Sequence, residues 1–251
     1  MSGHSKWSTI KHAKAVTDAR RGQLFTKLAK EIIVAAKQGG GETDSNFRLR
    51  MAVQRAKDAN MPNDNIDRAI RRGTGQGDDG EQMDEVTYEG YGPGGTASML
   101  EALTDNRNRT ASAVRAVFTK SGGNVAQPGA VAWQFYQRGV VVATVPEGKA
   151  EDFAMSTIDA GASDFETDDN VLHIYCPIGV LENIRRTLVD QGAEINSSEI
   201  AMLPKATISL DDGKARLALR LLDKLEELDD VQKVYSNADF SDTVLQEYGA
   251  Q

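Results

Sequence analysis

Apolar residues recur at helical spacing in the first third of the chain. Within residues 17–41, Leu24, Leu28, Ile32 and Ala35 fall on one face of a 3.6-residue helical wheel. A capping residue begins this stretch and three consecutive glycines end it, as they do at the ends of many helices. The pattern predicts one long helix with a buried apolar face.

The opposite face of this predicted helix carries lysines. Lys27, Lys30 and Lys37 cluster there, away from the apolar positions. We therefore expect charge reversal at Lys27 and Lys30 to weaken the binding of an anionic ligand without unfolding the protein.

Two further helices are predicted over residues 45–60 and 61–73. In the second of these, Pro62 suits the first turn and Gly73 suits the C-terminal end. Three helices in succession predict a small bundle whose exposed faces carry lysine and arginine.

The hydrophobic period changes after residue 82. Strand-like runs lie on both sides of the turn signal Pro-Gly-Gly at 93–95. Residues 105–122 return to the helical period, and the run AVAWQF at 130–135 predicts a short strand.

From residue 139 to 203 the predicted order is strand, helix, strand, strand, helix, strand, which is the ferredoxin-like order. A last helix and strand follow it. The elements on either side complete one α+β domain only if the ferredoxin-like unit is inserted into it. The predicted fold class is multi-domain, α and α+β: an N-terminal helical bundle followed by two α+β (ferredoxin-like) domains, one inserted in the other. The predicted boundaries are 1–76 for the basic helical domain, 82–136 plus 205–251 for the discontinuous α+β domain, and 137–204 for the inserted ferredoxin-like domain.

Charge is distributed unevenly along the chain. Residues 1–72 contain 15 basic and seven acidic residues, a net charge of +8, whereas residues 73–251 contain 14 basic and 30 acidic residues, a net charge of −16. A glycine-rich polar linker at 73–82 marks the change of sign. The basic part is drawn to polyanions, while the acidic part favours solubility and discourages indiscriminate binding.

The basic segment admits three interpretations: a targeting peptide, a solvated helical face, or a surface that binds phosphate. A transit peptide does not fit, because the basic character continues to Arg72. The density of Lys and Arg over a whole domain favours the phosphate-binding surface. Trp7 either stacks on an unpaired base or anchors the N-terminal arm to the bundle. The predicted nucleic-acid-binding residues are Lys6, Trp7, Lys11, His12, Lys14, Arg20, Arg21, Lys27, Lys30, Arg68, Arg71 and Arg72.

Two loops are further candidates for docking a macromolecule. The segment YEGYGPGG at 88–95 lacks the spacing of a nucleotide-binding phosphate loop and predicts a tight turn with a tyrosine on each rim. The segment TDNRNRT at 104–110 begins a helix, where Asp105 or Asn106 serves as the cap and two arginines offer an anion site. The predicted docking residues are Tyr88, Tyr91, Arg107 and Arg109.

No arrangement of residues predicts catalysis. The sequence has no nucleophile elbow and no paired-histidine zinc motif, so we expect no enzyme activity, no cofactor and no metal site. The single cysteine, Cys176, excludes an intramolecular disulfide and fits a reducing compartment. No run of about 18 apolar residues is present. We expect a cytoplasmic protein with no membrane partner.

Four segments resemble successive signatures of the YebC/PmpR family. They are GHSKWSTIKHAKAVTDARRGQLFTKLAKEI, NMPNDNIDRAIRRG, YEGYGPGG and LTDNRNRT. The resemblance covers essentially the full length and implies a three-domain fold, a cytoplasmic bacterial protein and nucleic acid as the partner. Members of the family are usually described as probable transcriptional regulatory proteins, and their mitochondrial relatives as translational activators of cytochrome c oxidase.

Three functions remain open at this point. The first is a transcriptional regulator that binds DNA through its basic domain. The second is a translation factor that binds ribosomal or transfer RNA on the ribosome and eases slow peptide-bond formation, and the third is a protein-interaction module. No helix-turn-helix with a polar recognition face is evident, and phosphate contacts position a protein without specifying sequence.

Overall fold

The computed structural model describes residues 18–75 and 83–249 of the chain. The first described segment forms three helices, α1 (Asp18–Gly39), α2 (Phe47–Asp58) and α3 (Asn63–Gly73). The amide of Leu49 in α2 donates to the side-chain oxygen of Asn46 at 3.0 Å, so Asn46 satisfies one of the unpaired amides of the first turn. The three helices predicted from periodicity are therefore present.

The second described segment alternates strands and helices. In chain order they are β1 (Asp84–Tyr91), β2 (Ala97–Thr104), α4 (Arg107–Lys120), β3 (Asn124–Ala126), β4 (Phe135–Thr144), α5 (Ala150–Asp159), β5 (Asp164–Asp168), β6 (Val171–Cys176), α6 (Leu181–Asp190), β7 (Glu194–Pro204), β8 (Ile208–Ser209), α7 (Asp212–Glu226), β9 (Val231–Ser236), β10 (Ala238–Asp239) and α8 (Asp242–Gly249).

Helix α1 is buried on more sides than its wheel predicts. Leu28, Ile32 and Ala35 are buried as expected, but Val34 and Ala36 are buried as well. Helix α3 packs closely against α1.

Gly73, in the last turn of α3, is the point of closest approach. A Cβ atom at this position would lie 2.5 Å from the carbonyl oxygen of Ile33 and 2.7 Å from the Cβ of Ala36. Gly73 is therefore required for close packing on α1. Gly73 is also the last residue of α3, as the sequence predicts, and the first left-handed residue after it is Gly75, with φ 78°.

The second described segment contains two four-stranded sheets, together with a short parallel pair formed by β8 and β10. The first has the strand order β3-β1-β2-β9, and its paired strands run antiparallel. Its strands come from residues 84–126 and 231–236, on both sides of the second sheet in the sequence. Helices α4 and α7 supply the core beneath it, with Phe118 and Leu219 fully buried.

The second sheet is built entirely from residues 135–204 and has the strand order β5-β6-β4-β7. This is the arrangement that the ferredoxin-like order predicts. Helices α5 and α6 contribute Phe153, Leu181, Ile184 and Leu188 to its core. The predicted fold class, a helical N-terminal region followed by α+β sheets, is confirmed.

The described chain divides into two compact units. Of the described residues, one unit contains 18–53, 61–75, 83–135 and 204–249, and the other contains 54–60 and 136–203. The first unit therefore contains most of the three helices together with the first sheet. The second contains the ferredoxin-like sheet and the end of α2.

One predicted strand is wrong. Residues 130–135 were expected to form a strand, but Ala132–Gln134 form a helical turn and β4 begins only at Phe135. The amides of Val131 and Ala132 donate to the carboxylate of Glu89, so they are not available for a strand ladder.

Candidate nucleic-acid interface

Helix α3 presents arginines on the side that faces away from the bundle. Ile66, Ala69 and Gly73 are its buried residues. Arg68 and Arg71 are exposed, and neither forms an ion pair within the described residues. Together with the exposed Arg72 they form what we call the α3 arginine cluster (Arg68, Arg71 and Arg72). Cationic side chains on the last turn also complement the helix dipole, so their position is favourable without any ligand.

Acidic residues precede the cluster on the same helix. Asp64 and Asp67 are both exposed, in the first turns of α3. If α3 lay lengthwise along a phosphate chain, it would bring these two carboxylates towards it. The geometry favours contact through the C-terminal end of the helix.

Two of the three lysines on the predicted lysine face of α1, Lys27 and Lys30, are only partly exposed, whereas Lys37 is exposed. The Lys27 ammonium donates to the carbonyl oxygen of Glu226 at the end of α7. The Lys30 ammonium donates to the Asp230 carboxylate at 2.9 Å and to the Asp229 carbonyl at 3.1 Å. The last carbonyls of a helix have no partner within the helix, and the Lys27 ammonium satisfies one of them at Glu226, whereas Lys30 binds residues that follow the helix. These contacts argue against the expectation that both lysines can be reversed without structural cost.

Asp230 is the centre of this contact. It is only 8% exposed, and its carboxylate accepts from Thr110 at 2.7 Å, from Arg109 at 2.8 Å and from Thr104 at 3.3 Å, in addition to Lys30. Burial raises the pKa of the Asp230 carboxyl, but the hydrogen bonds from Arg109, Thr110 and Lys30 outweigh it and hold the pKa well below its usual value.

The side chains of the TDNRNRT segment form hydrogen bonds and ion pairs with other residues of the chain. Asn106 is the cap of α4 and accepts from the amide of Arg109 at 3.1 Å. Arg107 pairs with Asp84 at 2.7 Å, and Arg109 pairs with Asp105 at 2.6 Å as well as with Asp230. Both arginines predicted for docking have intramolecular carboxylate partners, although both remain more than half exposed.

The two tyrosines predicted for docking also have partners within the chain, and both lie in β1, before the turn, and not one on each rim of it. The Tyr91 hydroxyl donates to the carbonyl of Ala130 at 3.1 Å, and the Tyr88 hydroxyl lies 3.4 Å from the carbonyl of Arg107. Gly94 and Gly95 between β1 and β2 have φ of 74° and 77°, which confirms the predicted tight turn.

Within residues 18–75 and 83–249, no three His, Cys, Asp or Glu side chains are grouped as a metal ion would require. No helix in these ranges is long and apolar enough to cross a membrane.

Comparison with known families decides the identity of the chain. Residues 5–76 match the model of the TACO1/YebC protein N-terminal domain, and residues 83–238 match the model of the TACO1/YebC second and third domain. The chain belongs to the TACO1/YebC family. The resemblance inferred from the four sequence segments is confirmed.

Several TACO1/YebC relatives match over the whole chain. One from Dehalococcoides mccartyi strain BAV1 is 52% identical over 251 residues, and one from Chloroflexus aurantiacus is 50% identical over 253 residues, each alignment covering 100% of both chains. Both carry the name "probable transcriptional regulatory protein". The crystal structure of a conserved hypothetical protein from Aquifex aeolicus is 43% identical, with a TM-score of 0.82 over 90% of this chain and 93% of that one.

Much of the basic arm predicted in this TACO1/YebC chain lies outside the described residues. Arg21, in the first turns of α1, is exposed. The predicted nucleic-acid-binding residues that lie outside the described part of the chain are Lys6, Trp7, Lys11, His12 and Lys14, together with the side chain of Arg20.

Sequence reasoning missed a polar network in the first unit. Glu89 in β1 is 5% exposed, and its carboxylate accepts from the amides of Gly129, Val131 and Ala132. The loop that it holds ends at Trp133, which is 66% exposed. A single acid within a strand-like run gives no signal of burial, and an aromatic residue in an alternating run predicts a strand.

Proposed function

We propose that this chain is a cytoplasmic regulatory protein that binds nucleic acid through its basic N-terminal helical domain. The names of its relatives support a regulatory role. The observation that carries the proposal is the α3 arginine cluster, in which Arg68 and Arg71 are exposed and have no acidic partner among the described residues.

The first target that we propose is duplex DNA, on which the protein acts as a regulator of transcription. Arginine binds a phosphate through two parallel N–H donors, and each phosphate contact releases counterions. Contacts of this kind fix the position of a protein without reading bases, so binding led by the cluster is tolerant of sequence and sensitive to salt.

The predicted domains differ in their proposed contribution to nucleic-acid binding. We propose that residues 1–76 make the main phosphate contacts and that most of the surface of the two acidic α+β domains, 82–136 plus 205–251 and 137–204, stays outside the contact. The net charge of −16 carried by residues 73–251 opposes a broad approach of these two domains to phosphates.

A second candidate target is RNA on the ribosome, where the protein acts as a translation factor on ribosomal or transfer RNA. The pair Asp64 and Asp67 disfavours lengthwise insertion of α3 into a DNA major groove, which removes one argument for preferring DNA to RNA. Contact through the end of the helix suits irregular RNA backbones as well as it suits DNA.

The test compares two variants with equal loss of charge. Arg68→Gln with Arg71→Gln removes two charges from the α3 arginine cluster, and Arg115→Gln with Lys120→Gln removes two exposed charges from α4. Affinity for duplex DNA, structured RNA and purified ribosomes is measured over a salt series. We expect the α3 variant to bind more weakly, with a salt slope smaller by about 1 for each arginine that contacts a phosphate. The α4 variant keeps the wild-type slope.

The ligands separate the candidate targets. A reproducible footprint on one promoter at physiological salt supports the transcriptional regulator. Tight ribosome binding with only weak, sequence-blind DNA binding supports the translation factor. Equal losses in both variants, or wild-type protein that binds none of the three ligands, would contradict the proposal.

A further inference from the structure

The loop at residues 127–134 is held rigidly although it lies at the surface. The buried Glu89 carboxylate accepts from the amides of Gly129 and Val131 at 2.6 Å and from that of Ala132 at 2.9 Å. Burial raises the pKa of Glu89, and these three hydrogen bonds outweigh it and lower the pKa below its usual value. A buried carboxylate is a costly way to order a loop, and here every donor it binds belongs to that one loop.

Trp133 at the end of this loop exposes its ring while its polar atom is already satisfied. Its side chain is 66% exposed, and the indole Nε1 donates to the carbonyl of Ala130 at 3.0 Å. The Tyr91 hydroxyl donates to the same carbonyl at 3.1 Å. The indole is therefore fixed by its edge, with most of its surface open to solvent.

A lysine is hydrogen-bonded to the backbone of Trp133. The Lys205 ammonium donates to the carbonyl of Trp133 at 2.7 Å, and the Lys205 amide donates to the carbonyl of Gln134 at 2.8 Å. Lys205 is exposed, and an ammonium group has three N–H donors, so two remain for another partner.

The surroundings favour one kind of occupant. Within residues 127–134, Trp133 is the only exposed large apolar side chain. The other exposed or partly exposed residues of the loop are polar or small, such as Gln127, Pro128 and Ala132, so an extended apolar partner surface finds little apolar rim here. An exposed ring, and an exposed ammonium group bonded to the backbone of the same residue, offer a stacking surface and a cation, which suit a base and a phosphate.

We propose that Trp133 is a stacking platform for an unpaired nucleobase and that Lys205 binds the phosphate next to that base. The proposal rests on the proposed function and adds a ligand class to it. That ligand is single-stranded or looped nucleic acid, and the residues that contact it belong to the discontinuous α+β domain. Because the indole N–H is already bonded within the loop, recognition is by stacking and is tolerant of base identity.

The direct test uses the intrinsic fluorescence of Trp133 in the full chain. The sequence has two tryptophans, so Trp7→Phe leaves Trp133 as the only indole. The probes are oligothymidylate and oligouridylate of about ten nucleotides, together with a blunt duplex in which every base is paired. We expect both single strands to quench the fluorescence at saturation and the duplex to leave it unchanged. A preference between the two single strands identifies DNA or RNA as the source of the base.

Variants then test the energy of the contact. Trp133→Ala is expected to weaken single-strand binding about tenfold, while Trp133→Phe keeps most of it and Lys205→Gln reduces both the affinity and the salt slope. The matched control is Leu217→Ala, an exposed apolar residue on α7 of the same unit. Thermal melting confirms that the exposed substitutions leave the fold intact.

The outcomes separate this proposal from the proposed function. If duplex DNA or ribosomes still bind while Trp133→Ala leaves single-strand affinity unchanged and no quenching occurs, the platform is refuted and the proposed function stands. If the wild-type protein binds no nucleic acid, both are refuted. Quenching by a proline-rich peptide but by neither single strand would assign the indole to a protein partner and overturn the proposal.

Discussion

A single carboxylate, Asp230, gathers donors from distant parts of the chain. Lys30 reaches it from α1, Arg109 and Thr110 from α4, and Thr104 from the end of β2. A buried carboxylate is stable only when its oxygens are hydrogen-bonded, and here four side chains donate hydrogen bonds to it.

The substitution Asp230→Asn keeps the shape of this side chain and removes its charge. We expect a loss of about 2 to 4 kcal/mol in the free energy of unfolding, because two cations lose a buried partner. Urea unfolding measures the loss. Asp159→Asn, at an exposed carboxylate on α5, is the control and changes stability by less than about 0.5 kcal/mol.

The difference in unfolding free energy between wild type and Asp230→Asn is expected to depend on pH. Since the folded pKa of Asp230 lies below its unfolded value of about 3.9, its contribution is complete above that pH and declines as the pH falls below it. The stability difference between wild type and Asp230→Asn therefore narrows below about pH 4. A difference that stays constant down to pH 2.5 would show that charge is not its cause.

At the scale of elements, Gly73 in α3 sets how closely two helices approach. Ordinary helix propensity favours alanine over glycine by about 1 kcal/mol, but a Cβ at this position meets the backbone of α1.

We expect Gly73→Ala to destabilise the protein by about 1 to 3 kcal/mol, because α3 must move away from α1. Gly22→Ala is the matched control: it lies on α1 with nothing within 4 Å of a Cβ, so the same substitution is expected to stabilise by about 0.5 to 1 kcal/mol. Opposite signs in chemical unfolding are the expected result. Stabilisation by both substitutions would contradict the close packing of α3 on α1.

The helices and strands that could be predicted from the sequence are those with long periodic apolar patterns. The three N-terminal helices and the ferredoxin-like order follow from apolar spacing and from glycine-rich ends. The strands β3, β8 and β10 have only two or three residues, too few to show a period, and α8 was not predicted. The turn at Ala132–Gln134 was missed because its amides are held by Glu89, about 40 residues earlier in the chain.

The candidate site was predictable only in composition. Counting charges identifies the basic helical segment, but a wheel cannot show what covers each face of a helix. Arg68 and Arg71 are exposed, whereas Lys27 and Lys30 contact residues about 200 positions later. Tertiary contacts of that range leave no trace in local periodicity.

At the scale of the whole molecule, the opposite charges of the two parts of the sequence meet inside the first compact unit. Gln23, Lys27 and Lys30 of α1 bind the segment 226–230, and Arg48 of α2 binds both carboxylate oxygens of Glu85 at 2.8 and 2.9 Å. Part of the positive charge counted in the sequence is therefore balanced within the fold. The surface offered to a polyanion is narrower than the net charge of +8 indicates.

The double reversal Lys27→Glu with Lys30→Glu tests this arrangement. It places two carboxylates against the carbonyl of Glu226 and the carboxylate of Asp230, so we expect a loss of about 2 to 4 kcal/mol in unfolding free energy. Lys37→Glu, exposed on the same helix, is the control and is expected to cost less than about 0.5 kcal/mol. If the double variant were as stable as wild type and only bound nucleic acid more weakly, we would conclude that these lysines contact the nucleic acid and contribute little to the stability of the fold.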